Sequence, residues 1–306
     1  MLEQKLEQAQ YYYRTEQHEK AIESLKELLA SWPDSAIAHG LLASCLLSER
    51  RLYAAEHELN IALSIEPNLV LLKLILARTL IFKKQLQQAL QACDEALSVE
   101  PDCVEALLLQ SQIYMLLDKR APAKDVLVEA LRHEPDSAQV LASLGDYHLT
   151  VGEVELAIEF ALQALKLEPE NASANVLMGS AQLAAGNVDD AAYHAKFAIL
   201  QNPHSEIALQ LLADIKARQS WLLGLWWQFN NKVTALSDVG SALVLIGGYL
   251  LFNLLSQLLT DFGYQSLSTA TAFVWLGIVV YSWVCIPLYY RQLRKELSTF
   301  QFKPDF

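Results

Sequence analysis

The sequence predicts an all-α solenoid, and three observations carry that prediction. Six prolines (Pro33, Pro67, Pro101, Pro135, Pro169 and Pro203) stand 34 residues apart without a slip. Each lies in a short polar break between apolar-periodic segments: SWPDS, IEPNL, VEPDC, HEPDS, LEPEN and QNPHS. A column of alanines (Ala21, Ala55, Ala89, Ala123, Ala157 and Ala191) keeps the same period. A fixed period of this length marks one small unit repeated along the chain, and a stack of such units is read as a binding surface before it is read as an enzyme.

The elements follow from the breaks. Proline cannot continue a helix, and Asp, Asn or Ser beside it can accept from the free N–H groups of the next one. Each break therefore stops one helix and starts another. About 30 residues between breaks leave room for two helices of three or four turns and a tight turn. That turn shows as Gly152-Glu153 and Gly186-Asn187, and as the charged pairs Arg50-Arg51 and Lys119-Arg120. Six repeats result, on 2–35, 36–69, 70–103, 104–137, 138–171 and 172–205. Two further columns are small: Ala9, Ala43, Ala77, Ser111, Gly145 and Gly179, and Leu28 followed by Ala62, Ala96, Ala130, Ala164 and Ala198. Small side chains at fixed points let helix axes approach closely.

In period, helix–turn–helix form and the small, Ala, Ala and Pro columns, residues 2–205 resemble the tetratricopeptide repeat. The resemblance implies a right-handed α-solenoid of helix–turn–helix repeats, closed by a capping helix over 206–218. Two columns depart from the family pattern. Its Trp position holds Lys5, His39, Lys73, Leu107, Leu141 and Asn175. Its Tyr position holds Tyr12, Leu46, Leu80, Tyr114, His148 and Gln182. The late repeats are therefore expected either to pack less well or to face something other than water.

Members of the family line a concave groove with the second, fifth, ninth and twelfth residues of each repeat's first helix. Carried over, the twelfth row is Tyr13, Leu47, Ile81, Met115, Leu149 and Leu183, apolar throughout. The fifth row is Leu6, Gly40, Leu74, Leu108, Ala142 and Val176. The ninth is a polar thread of Gln10, Ser44, Arg78, Gln112, Asp146 and Ser180. The partner groove so implied comprises Tyr13, Leu47, Leu74, Arg78, Ile81, Leu108, Gln112, Met115, Asp146, Leu149 and Leu183. An open apolar trough suits an amphipathic helix or an extended apolar peptide; alternatively, the twelfth row packs on neighbouring repeats. Chaperone-binding members hold a C-terminal carboxylate with Lys at the fifth and Asn at the ninth position of one repeat. No repeat here has that pair, so recognition of chaperone tails is disfavoured.

Charge divides the chain. Residues 1–218 carry 18 Lys and Arg against 31 Asp and Glu, residues 219–306 carry 5 against 4, and the whole totals −12. An acidic array opposes counterion release from nucleic acid, so no nucleic-acid partner is expected. The four cysteines (Cys45, Cys93, Cys103 and Cys285) have neither zinc nor disulfide spacing and read as small apolar packing residues. The segment MLEQKLEQAQYYYRTEQ has no apolar core of a signal peptide, which places the repeats in the cytosol.

After Arg218 the composition changes. Asp238 and Asp261 bracket 22 uncharged residues, and 29 more run from Phe262 to Tyr290. A bilayer core needs about 20 helical residues, so 239–260 and 270–290 are expected to span as a hairpin, with 291–306 as a tail. Lys216, Arg218 and Lys232 precede the hairpin and Arg291, Arg294 and Lys295 follow it. The positive-inside rule then puts the repeats and both termini on the cytosolic side, in a bacterial cytoplasmic membrane by preference. Residues 219–237 form an amphipathic helix with Leu222, Leu225, Trp226, Phe229, Val233 and Leu236 on one face. Trp221, Trp226, Trp227 and Phe229 suit the headgroup depth of membrane lipid. Within the first span Asn253, Ser256 and Gln257 share a face, either locking the hairpin through Ser282 or docking another integral membrane protein.

No catalytic motif emerges. His57-Glu58 lacks the second histidine of a zincin helix, and neither a phosphate loop nor a nucleophile elbow is present. No cofactor or metal is expected, and no enzyme. The expected function is a membrane-anchored scaffold or adaptor that recruits a cytosolic protein or peptide to a membrane complex, as in its assembly. The rival is a stable accessory subunit of a membrane enzyme or transporter, held through its hairpin.

Overall fold

The computed structural model describes residues 2–202, 205–219, 238–271 and 273–274. Contacts divide the chain into two units, Met1–Glu153 and Val154–Phe306. The first holds α1 (Leu2–Arg14), α2 (His18–Ser31), α3 (Ala36–Ser48), α4 (Leu52–Ile65), α5 (Val70–Phe82), α6 (Leu86–Val99), α7 (Val104–Leu116), α8 (Arg120–His133) and α9 (Ala138–Val151). The second holds α10 (Val154–Leu167), α11 (Ala172–Ala185), α12 (Val188–Gln201), α13 (Glu206–Gln219) and a long helix, here α14 (Asp238–Asp261). The repeats form an all-α solenoid of the tetratricopeptide type.

Each helix boundary has a local cause. At the proline breaks Ser35 caps α3 by accepting from the Ala38 N–H, and Asn171 caps α11 by accepting from the Ala174 N–H. At the turn between the two helices of a repeat, one residue takes the left-handed conformation: Glu16, Arg50, Lys84, Asp118, Gly152 and Gly186. The next residue's N–H then reaches back to the carbonyl at the family's Tyr position. The six bonds are Gln17 to Tyr12, Arg51 to Leu46, Gln85 to Leu80, Lys119 to Tyr114, Glu153 to His148 and Asn187 to Gln182, at 2.8–2.9 Å. This is the Schellman closure of a helix C-terminus. It depends on backbone alone, so the drift of side chains in that column leaves it intact.

Packing uses the small columns. All six residues of the alanine column are fully buried, as are Leu28, Ala62, Ala96, Ala130, Ala164 and Ala198. A Cβ on Gly179 would stand 2.8 Å from Leu211 Cδ2 and 3.2 Å from the Ala191 carbonyl oxygen. That is why α11 carries glycine where α12 and α13 meet it. In the first unit the first helices of successive repeats touch one another: α1 with α3, α3 with α5, α5 with α7, and α7 with α9. Second helices of successive repeats make no comparable contact among the described residues, so the first helices form the inner layer.

Three places of the family's Trp column hold buried residues in polar pairs, while Leu107 and Leu141 are buried apolar side chains. His39 Nδ1 lies 2.6 Å from a Glu58 carboxylate oxygen, Lys73 donates to Glu95 at 2.9 Å, and His194 Nδ1 lies 3.0 Å from the Asn175 side-chain oxygen. His39, Lys73 and Asn175 are all buried. His148, in the neighbouring column, is buried and reaches Glu153 at 2.5 Å. The polar drift is thus satisfied by hydrogen bonds and does not mark loose packing.

In the second unit α13 packs on α11 and α12, burying Ala208, Leu211, Leu212, Ala213 and Ile215, and Arg218 donates to the Leu183 carbonyl at 2.7 Å. Residues 220–237, expected as the interfacial helix, lie outside the described residues, as do 275–306. α14 runs as one 24-residue helix. A left-handed Gly263 then turns the chain into a further helical segment, 265–271. Among the described residues no helix is long and apolar enough to cross a membrane. Of α14, the described side chains begin at 247.

Candidate partner-binding face

The inner layer of first helices is the face on which the predicted groove residues fall. In the first unit Tyr13, Leu47, Ile81, Met115 and Leu149, the twelfth row, are each half-buried. Tyr13, Leu47 and Ile81 pack against the buried core. Leu108 of the fifth row is half-buried as well. Leu74 differs: at 3 % exposure it is a core residue and offers no free side chain to a ligand. Leu183, on α11 of the second unit, is likewise packed away at 7 %. Position alone does not decide this, since Leu108 stands at the same fifth place as Leu74; Gly40, also at that place, lies against Leu72, where a Cβ would stand 2.5 Å from its Cδ2.

Two exposed apolar residues on the first helices lie outside the predicted set. Ile37 and Leu71, at the second position of repeats two and three, are 45 % and 51 % exposed. The signal was available, because the same position elsewhere is Glu3, Glu105, Gln139 and Ser173. An apolar residue at a point otherwise given to polar ones is the informative exception.

The polar thread is partly engaged. Arg78 forms an ion pair with Glu105 of the next repeat, so its charge is met within the array. Ser44 donates to the Gly40 carbonyl at 3.1 Å. Gln112 and Asp146 are exposed. Desolvation by the surrounding protein pushes the Asp146 carboxyl above its usual range even though its side chain is exposed. The face therefore combines separated apolar side chains with a few polar ones. It can recognise a partner's side chains by burial, and it holds no nucleophile and base set for chemistry among the described residues. Cys45 and Cys93 are buried, and burial pushes their thiols up to about 12.

The predicted membrane contacts divide. Trp221, Trp226, Trp227 and Phe229 lie outside the described residues. On α14, Asn253 donates to the Tyr249 hydroxyl one turn back at 3.4 Å, and Gln257 is exposed. Ser256 bonds across the turn to Ser268, Oγ to Oγ at 2.9 Å, and Thr260 donates to the same Ser268 Oγ at 2.8 Å. Within the described residues the chain reversal is thus tied through Ser268; Ser282 lies outside them.

A family model for the tetratricopeptide repeat matches residues 6–68, and one for the ChAPs (Chs5p-Arf1p-binding proteins) matches residues 50–196. No curated protein matches the sequence significantly. Among solved structures, the chain is similar to TTC0263, a thermophilic TPR protein of Thermus thermophilus. The match has TM-score 0.56 and 22% identity over 60% of this chain and 100% of that one. It is also similar to PilW, a type IV pilus biogenesis factor, with TM-score 0.55 and 19% identity over 69% and 98%. PilF of Pseudomonas aeruginosa matches with TM-score 0.51 and 20% identity over 70% and 97%. At these identities the likeness is one of fold.

Proposed function

We propose that this chain, an array of tetratricopeptide repeats, is a membrane-anchored scaffold or adaptor that recruits a cytosolic protein or peptide to a membrane complex and serves in its assembly. The observation that carries the reading is the inner face of the first unit. There the exposed Ile37 and Leu71 stand beside the half-buried Ile81, Leu108 and Met115. Apolar side chains left open between polar ones are suited to a helix or extended segment of a partner. The match of residues 50–196 to a family named for binding other proteins supports a binding role over a catalytic one.

The anchor rests on α14. It has no charge between Asp238 and Asp261, and Tyr249, Leu250, Leu251, Leu254, Leu255 and Leu258 are all exposed. So many large apolar groups on one helix suit lipid contact. With the Trp-rich segment before it and the apolar run after it, α14 is read as the first arm of a hairpin in a bacterial cytoplasmic membrane, repeats inside. Pull-down from detergent-solubilised membranes tests the adaptor. A Leu71→Glu, Leu108→Glu, Met115→Glu variant that keeps its helical content should lose the partner, and unchanged recovery overturns the groove. Resistance to alkaline carbonate extraction tests the anchor.

The second reading, an accessory subunit held within the membrane, is favoured by the exposed Asn253 and Gln257 on α14. Exchange of 239–290 for an unrelated hairpin separates the two: the adaptor keeps its partner, the accessory subunit loses it.

A further inference from the structure

The turns between the two helices of repeats two, three and four form a basic, aromatic edge on an acidic molecule. They carry Arg50, Arg51, Lys83, Lys84, Lys119 and Arg120, against Glu49 and Asp118. The edge is continuous across repeats two and three. The Arg50 guanidinium lies 4.6 Å from the centre of the Phe82 ring, and Lys83 Nζ lies 4.8 Å from that of Tyr53 and pairs with Glu56. Asp118 is met by Arg120 at 3.2 Å. Arg51, Lys84 and Lys119 are exposed and make no ion pair among the described residues. Beside these charges stand exposed apolar groups: Tyr53 at 80 %, Phe82 at 47 % and Leu116 at 56 %.

The strain of these turns is independent of charge. Arg50 and Lys84 occupy the left-handed point of their turns, with φ of 58° and 59°, as Glu16 and Asp118 do in repeats one and four, where the later repeats have Gly152 and Gly186. A residue with a Cβ is strained there and glycine is not. Because acidic residues hold the same point in repeats one and four, the strain does not single out basic side chains, and the edge rests on its charges and its exposed apolar groups.

From these observations we infer that this edge is a second interaction surface and that it rests on anionic lipid headgroups. The inference depends on the membrane-anchored reading above, which puts lipid within reach. Basic side chains flanked by exposed aromatic and leucine side chains match an interface in which charge meets phosphate and apolar groups enter the acyl boundary. The turns join the ends of the helices, and a row of charges spaced along them suits an extended plane more than a peptide that needs a trough. The array as a whole is acidic and is repelled by such a plane, so the edge would orient the tethered repeats and leave the inner face open to its partner.

Full-length protein reconstituted into nanodiscs of phosphatidylcholine, with and without about one-third phosphatidylglycerol, tests this by hydrogen exchange at residues 50–53, 83–86 and 117–121. Exchange there should slow by about tenfold in the anionic discs alone. The protection should vanish at about 0.5 M salt and in an Arg51→Gln, Lys84→Gln, Lys119→Gln variant. Equal exchange in both lipids, or protection that the variant keeps, overturns the inference. Protection that requires added polyglutamate in place of lipid overturns it too, in favour of an acidic protein partner. Failure of the anchor reads differently: carbonate then strips the chain from both lipids. The stripped chain still tests the edge by salt-reversible flotation on anionic vesicles.

Discussion

His39 and Asn175 stand at the same point of repeats two and six, and each reaches the carbonyl of the proline six residues before it. His39 Nε2 lies 2.9 Å from the Pro33 oxygen, and the Asn175 side-chain amide donates to the Pro169 oxygen at 3.0 Å. Each also reaches 19 residues forward, to Glu58 and to His194. One side chain therefore holds the break before its repeat and the second helix of its repeat at once. A tryptophan could fill that volume but could not make both bonds. At these two places the column clamps the proline break.

Loss of a clamp should be graded by what it strands. His39→Leu leaves the Pro33 carbonyl and the Glu58 carboxylate without their partner and should cost about 2 kcal/mol. His39→Asn keeps a donor for Pro33, as Asn175 does for Pro169, and should cost about half as much. Thermal unfolding of the two variants at one pH checks the order, and an equal loss would show that the proline bond contributes nothing.

Lys73 and Glu95 should respond unequally to mutation. The lysine is buried and the carboxylate is half-exposed. Glu95→Leu strands an ammonium in the core and should destabilise by about 2 kcal/mol, whereas Lys73→Met trades a buried charge for packing and should be close to neutral. The pair also sets an acid dependence. The hydrogen bond from Lys73 holds the Glu95 carboxyl below its ordinary range. Its folded pKa is thus lower than its unfolded one, so the contribution is present above the unfolded value, about 4.3. It is lost as pH falls through the folded value. Half-exposure keeps the effect small. Acid titration of stability should be flatter in Lys73→Met than in the parent over that window.

The legible and the hidden parts of the fold differ in range. Pro33 and Ala21 act through sterics within their own turn, so their period alone predicts repeats. The pairing of Lys73 with Glu95 crosses between helices, and no local pattern distinguishes Glu95 from the adjacent Asp94, which Gln110 holds instead. Leu71 and Leu74 lie one turn apart on the same helix. Which of them is open depends on how closely α5 meets its neighbours, a property of the stack. The turns at Arg50 and Lys84 were within reach, since aligning the repeats puts both in the column of Gly152 and Gly186.

The buried thiols should be silent in the native protein. With thiols at about 12, Cys45 and Cys93 present on the order of one thiolate in ten thousand at pH 8. Iodoacetamide followed by mass spectrometry should leave both unmodified until the repeats are unfolded in denaturant. Native labelling at either site would mean that α3 or α6 opens locally.

Asp146 tests how far the inner face desolvates a carboxylate. Desolvation raises its carboxyl pKa in the folded chain, so the unfolded chain ionises first and stability falls as pH rises from the unfolded value, about 3.9, through the folded one. Asp146→Asn removes that penalty. The variant should be more stable than the parent at pH 7 and equal to it below about pH 3. Equal stability at both pH values would place the carboxylate on open surface.

The left-handed turns yield two substitutions of opposite sign. Lys84 holds φ of 59° with a Cβ, and Gly152 holds φ of 90° without one, at the same point of their repeats. Lys84→Gly relieves backbone strain of about 1 kcal/mol, and Lys84 has no ion pair among the described residues to lose. Gly152→Ala imposes a similar strain, and since nothing lies within 4 Å of the added Cβ, the backbone conformation alone accounts for it. Chemical denaturation should therefore show the first variant more stable than the parent and the second less so. If glycine destabilises at position 84 instead, Lys84 serves the turn itself.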